Sequence, residues 1–143
     1  MKRAGYSTKM VRIGLVFLSL VLLPAQVLAT DVGGLIDTDT TWNLAGSPYI
    51  VIGNTLVASG ARLTIEPGVQ VRFNGNYWLK IEGNIQAKGS FNNEILFTSN
   101  LTPQQKNDWA GILINNGTGF ELSWAIVEFA TFPYKDRDYL IMD

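Results

Sequence analysis

The chain contains no cysteine and no histidine in 143 residues, and only 16% of it is charged. Without cysteine there can be no disulfide staple, no thiolate nucleophile and no lipid-modified N-terminal cysteine. Without histidine the commonest general base and zinc ligand are missing, and a serine triad has no base to activate it. Helical patterning is absent as well: no stretch outside the N-terminal segment holds apolar residues at a 3.6-residue period long enough to make a helix. Packing and backbone ladders alone must hold whatever fold the chain adopts.

The first segment is of another kind. Lys2, Arg3, Lys9 and Arg12 precede an uncharged run from Ile13 to Thr30, centred on Ile13-Gly-Leu-Val-Phe-Leu-Ser-Leu-Val-Leu-Leu23. Val27-Leu-Ala29 offers small residues where signal peptidase inspects the chain, so residues 1–29 read as a signal peptide cleaved after Ala29. An uncleaved anchor is the competing reading. The apolar centre is shorter than the ~20 residues a spanning helix needs, and Pro24 and Gln26 follow it. The expected location is therefore outside the cell or on its surface, with no membrane contact beyond the signal peptide. Removing residues 1–29 leaves seven basic against twelve acidic residues, a net charge of −5. That balance argues against nucleic acid or an anionic bilayer as partner.

The mature chain reads as strand after strand. Tyr49–Ile52, Thr55–Val57, Arg62–Ile65, Val69–Phe73, Tyr77–Ile81, Asn84–Ala87, Ile95–Thr98, Trp109–Ile114 and Leu122–Phe129 alternate apolar with polar residues. Gly-Asn, Ser-Gly, Pro-Gly and Asn-Gly-Asn punctuate them. The most informative stretch is Leu63-Thr-Ile-Glu-Pro-Gly-Val-Gln-Val71, echoed sixteen residues later by Leu79-Lys-Ile-Glu-Gly-Asn-Ile-Gln-Ala87. Repetition of a short strand-turn-strand unit predicts a solenoid. On that register Leu63, Ile65, Val69 and Val71 stack on Leu79, Ile81, Ile85 and Ala87, with Gln70 over Gln86 and Arg72 over Lys88. An antiparallel sandwich would also suit short strands. Its tight hairpins are hard to find, however, since only Asn74-Gly75 qualifies and Asn76 lengthens that loop. The expected organisation is an N-terminal cap over residues 30–47, closing the open end of the coil, and rungs over 48–143. Ser99–Asp108 should protrude as a polar loop. The charged Lys135–Asp138 could blunt the last edge, and the ending on Leu140-Ile-Met142 reads as a truncated solenoid of few rungs.

These residues resemble secreted right-handed parallel β-helix proteins of the pectin-lyase-like class. The phrases that carry the resemblance are Thr41-Trp42, Ser47–Val51, Leu56–Ala61, Leu63–Phe73, Ile81–Ala87, Ile95-Leu-Phe-Thr-Ser99 and Trp109-Ala-Gly-Ile112. The resemblance implies an all-β, right-handed parallel β-helix and is specific to the fold, with no activity attached. A polysaccharide lyase of this class uses Ca²⁺-binding aspartates and a basic residue on one face.

Candidate chemistry is sparse. Glu66 and Glu82 hold equivalent places in the two copies, and stacking one rung apart at ~4.8 Å would approach the ~5–5.5 Å spacing of a retaining glycosidase. Both sit at strand–turn junctions, where a polar residue is expected anyway. Asp31, Asp37 and Asp39 offer oxygens to Ca²⁺, yet Asp-Thr-Asp-Thr lacks the glycine and terminal glutamate of a calcium loop and suits turn capping. Arg72 and Lys88 read as a solvated ladder. Of Tyr77 and Trp78 alternation points one inward, and Trp109 suits the core. Asn100-Leu-Thr102 and Asn116-Gly-Thr118 fit the glycosylation pattern. The sequence therefore assigns no catalytic, cofactor-binding or metal residue. It points to a secreted or cell-surface scaffold with a structural, adhesive or carbohydrate-binding role, its partner a carbohydrate or a surface protein. The alternative is the N-terminal fragment of a polysaccharide-degrading lyase or glycoside hydrolase.

Overall fold

A computed structural model describes residues 28–115 and 119–135, with backbone alone for the last three. The expected signal peptide lies almost wholly outside the described residues, as do Asn116–Thr118 and the residues after Lys135. The described chain is an all-β parallel coil. Its strands, in order, are β1 (Thr30–Ile36), β2 (Thr40–Trp42), β3 (Tyr49–Val57), β4 (Arg62–Ile65), β5 (Gln70–Phe73), β6 (Trp78–Ile81), β7 (Asn84–Lys88), β8 (Ile95–Ser99), β9 (Trp109–Ile114), β10 (Phe120–Ser123), β11 (Ala125–Val127) and β12 (Ala130–Lys135). One single turn of 3-10 helix spans Leu44–Gly46.

Three parallel ladders form the sides of the coil. On the first, the N-terminal half of β3 lies between β1 and β5, and β8 and β11 follow. The second stacks the C-terminal halves of β1 and β3 on β6, β9 and β12. The third runs β2, β4, β7 and β10. Parallel neighbours cannot be joined by a hairpin, so the chain goes round the coil between one ladder partner and the next. This is a parallel β-helix.

Each strand sends alternate side chains inward, as a period of two requires. The inward set of Val51, Val57, Leu63, Ile65, Val71, Phe73, Leu79, Ile81, Ile85, Ala87, Ile95, Phe97, Trp109 and Ile112 is essentially inaccessible. Phe73 and Trp109 lie flat on each other, with ring centroids 3.8 Å apart and planes within 8°.

The register corrects the sixteen-residue stacking. Leu63 pairs with Ile85 and Ile65 with Ala87, twenty-two positions on. Tyr49 likewise pairs with Val71, and Val71 with Phe97. A full turn needs three sides, whereas the repeated phrase covers two strands and one corner. Its first copy rounds the corner from the third ladder to the first, through Glu66-Pro-Gly-Val69. Its second rounds the corner from the second ladder to the third, at Glu82-Gly83. The two copies are alike because any corner between two inward-facing strands asks for the same text. Gln70 therefore meets Leu96, Arg72 meets Thr98, and Lys88 meets Ser123.

Three further findings concern boundaries. The segment expected as a cap holds two strands, β1 and β2, which ladder onto β3 and β4. Trp42 stacks on Tyr49 at 5.1 Å, and the Tyr49 hydroxyl accepts from the Asn43 N–H at 2.9 Å. Next, the strand expected over Leu122–Phe129 is broken at Trp124, whose φ of +47° turns the chain through a corner between β10 and β11. Conversely, β3 runs unbroken through Gly53-Asn54, where the sequence suggested two strands.

Candidate functional site

Two carboxylates that the sequence placed together are kept apart by the coil. Glu66 is exposed at a turn whose Val69 N–H reaches the Glu66 carbonyl at 3.3 Å, with Pro67 and Gly68 in its centre. Gly68 has φ +78°, which makes Pro-Gly the natural pair for a type II turn. Glu82 sits at another corner, where its carboxylate meets Lys80 Nζ at 2.6 Å. The stacked-glutamate arrangement is thus overturned by the register.

The aspartates are distributed too. Asp31 lies on the first ladder beside Ile50, whereas Asp37 and Asp39 bracket a corner. Asp39 Oδ1 accepts the Arg62 N–H at 2.9 Å and so ties one turn of the coil to the next. Among the described residues no three carboxylates gather into a metal-sized cluster. Trp109 is buried and donates from Nε1 to the Glu128 carbonyl at 2.9 Å. Tyr77 packs against the core, and Trp78 is the outward member of the pair. Asn100 Nδ2 reaches Asn74 Oδ1 at 3.3 Å, one turn away, which builds a short asparagine ladder at the first-to-second corner. The second glycosylation pattern, Asn116–Thr118, lies outside the described residues.

Arg72 and Lys88 also part. Lys88 Nζ lies 3.1 Å from Glu121 Oε1, and that bond, aided by Gln86, holds the Glu121 carboxyl below its ordinary value. Arg72 instead stands on the first ladder, where Nε and Nη2 both donate to Gln70 Oε1, at 3.1 and 2.7 Å. Among the described residues no carboxylate lies within ion-pair distance of it.

Arg72 forms one wall of a groove of about 420 Å³, which opens where the first ladder meets the loop after β8. The groove is built from successive turns. Thr98 follows Arg72 in register. Glu128 comes one turn later, its N–H bonded to the Phe97 carbonyl at 3.0 Å. Thr98, only 2% exposed, donates from its hydroxyl to Glu128 Oε1 at 2.8 Å. Gln104, from the loop, donates from Nε2 to the Ser99 carbonyl at 2.7 Å and to Thr98 Oγ1 at 3.3 Å. The Ser99 hydroxyl accepts the Leu101 N–H at 3.0 Å, which pins the loop's entry.

These bonds leave Glu128 Oε2, Gln104 Oε1 and the Arg72 Nη1 protons unused by one another. The floor is therefore ordered, and both donors and acceptors remain for a ligand. Such a groove suits a ligand bearing several hydroxyls, each able to donate and accept. Sequence reasoning marked the Ser99–Asp108 loop and Arg72 but missed Thr98 and Glu128. Thirty residues separate that pair, and only the register brings them together.

A family model for the pectate-lyase like beta helix domain matches residues 34–134. Over 67 residues the chain is 42% identical to Protein bark beetle of Drosophila melanogaster, a stretch covering 47% of this chain and 2% of that protein. The chain thus spans a small fraction of that relative's length. No solved structure matches it. With the match running from β1 to β12 and the parallel ladders in place, the chain belongs to the pectate-lyase-like β-helix domain family.

Proposed function

We propose that this protein is a secreted or cell-surface scaffold that binds carbohydrate in the Arg72–Glu128 groove and performs no catalysis of its own. The observation supporting this most directly is the Thr98 hydroxyl, buried yet bonded to both Glu128 and Gln104. It fixes two acceptors opposite Arg72 without using up their capacity. Pre-ordered polar groups of this kind favour a hydroxyl-rich ligand, because little side-chain entropy is then lost on binding. The export expected from residues 1–29 places the groove where extracellular glycans or surface proteins are met.

A second reading, the N-terminal portion of a polysaccharide-degrading enzyme, draws on the lyase-like family and on an arginine lining the groove. One experiment separates them. The purified full chain is screened on a glycan array, with a uronate-lyase assay run on the same preparation. The scaffold reading expects array binding that Glu128→Gln weakens about tenfold, the effect of one lost charge-assisted bond. Turnover of a polyuronate would overturn it, as would array binding unaffected by Glu128→Gln.

A further inference from the structure

The corner from the third ladder to the first has a surface unlike the groove. Successive turns round it at Leu44, at Glu66–Val69, at Ser90–Asn93 and at Trp124. Each presents an exposed apolar side chain: Leu44, Pro67, Phe91 and Trp124. Phe91 is 73% exposed and Trp124 56%. The turns sit directly on one another. The Gly68 N–H bonds to the Asn93 carbonyl at 2.9 Å, and the Ile95 N–H to the Trp124 carbonyl at 3.0 Å. Their backbones therefore follow at roughly the ~4.8 Å spacing of a ladder and carry the apolar side chains in a file along the corner.

Phe91 and Trp124 meet at 87° with centroids 6.4 Å apart, forming an L-shaped notch with the indole on one side. Trp124 holds a left-handed backbone, φ +47°, which a bulky residue rarely adopts. Folding alone would be served better there by glycine or asparagine. Strain of this kind, retained beside an exposed indole, points to a use for the ring.

We infer that this corner is a binding site for a neutral pyranose polymer, separate from the Arg72–Glu128 groove. The file is one side chain wide, far short of the ~20–30 residues a side that a stable protein partner covers. An indole face accepts the apolar C–H face of a pyranose, while the exposed Asn92 amide stands ready for its hydroxyls, the Asn93 Nδ2 already donating to the Phe91 carbonyl at 3.5 Å. The charges select a neutral polymer. Glu66 lies on these turns and Glu94 directly follows one of them, while the flanking Lys88 is paired with Glu121, so an anionic chain would be repelled. This inference does not rest on the groove.

The test follows the Trp124 indole N–H by NMR in the full chain, titrated with cellohexaose. Saturable movement of that resonance is expected, with those of the buried Trp42 and Trp109 unmoved. Trp124→Asn removes the ring while suiting the left-handed backbone. It should weaken cellohexaose binding about tenfold or more, equivalent to ~1.4 kcal/mol. Phe91→Ala should weaken it less, and Glu128→Gln should leave the Trp124 shift intact. A stationary Trp124 resonance, or an Asn variant that binds as tightly, would overturn the inference. A shift produced instead by an oligogalacturonate or a proline-rich peptide would overturn it equally.

Discussion

Two corners of the same coil are built to opposite specifications. Where β6 of the second ladder gives way to β7 of the third, the chain has almost no room. Glu82-Gly83 separates β6 from β7, and a Cβ on Gly83 would run into the carbonyl oxygens of Ala58 and Ala61 on the preceding turn. From the first ladder to the second the corner varies from turn to turn, lengthening over three turns before it closes again to Glu128-Phe129 between β11 and β12. It begins as a bend inside β3 at Gly53-Asn54, becomes Asn74–Tyr77, and then opens into the loop from Asn100 to Asp108. Parallel stacking demands equal strand positions in each turn, yet it sets no upper bound on the chain between them. The groove lies where the coil has slack, and the tight corner holds the pitch.

That contrast can be broken from the inside out. The largest effect should come from Phe73→Ala, which removes a ring stacked on Trp109 in the centre of the coil. A loss of about 3–5 kcal/mol is expected, measured by urea denaturation, and it should destabilise both corners alike. Gly83→Ala comes next, at about 1–3 kcal/mol, since the methyl must displace backbone rather than a flexible side chain. Two residues inserted after Lys106 should change stability by under ~0.6 kcal/mol, because loop closure depends only weakly on length. An insertion as damaging as Gly83→Ala would erase the distinction between the corners.

The smallest effect is electrostatic. Glu121 is held below its ordinary value of 4.5, first by its bond to Lys88 and then by Gln86. A carboxyl depressed in the folded state stabilises it above the ordinary value, and that contribution disappears as pH falls through the lowered one. Between neutral pH and strongly acid solution Glu121→Gln should therefore flatten slightly the pH dependence of the thermal midpoint. A steeper dependence in the variant would contradict the assignment.

Much of the scaffold was legible because strand alternation and turn residues are local. Arg62–Ile65 and Trp109–Ile114 emerge with their boundaries intact, and Pro67-Gly68 announces its own turn. Adjacency was not legible. The Leu63–Val71 and Leu79–Ala87 phrases are alike because two different corners impose the same local demands, so the resemblance misplaced Glu66 over Glu82. Trp124 was read through as strand, since its Leu-Ser-Trp-Ala-Ile context alternates well and nothing in it signals a positive φ. The groove was harder still. Thr98 is an ordinary polar strand residue until Glu128 arrives beside it, and that depends on how many residues the intervening corners consume.

The unbroken course of β3 gives the coil a mechanical character. At two turns the first and second ladders share a single strand, across Thr30–Ile36 and across Tyr49–Val57 with its bend at Gly53-Asn54. Further along, the same two ladders are linked through corners that can swing. Tension applied along the axis should separate the described turns beyond β3 one at a time, each yielding as its corner straightens. At β3 two ladders would have to release together. The coil would extend as a spring that is stiffer at β1 and β3 than at its later turns.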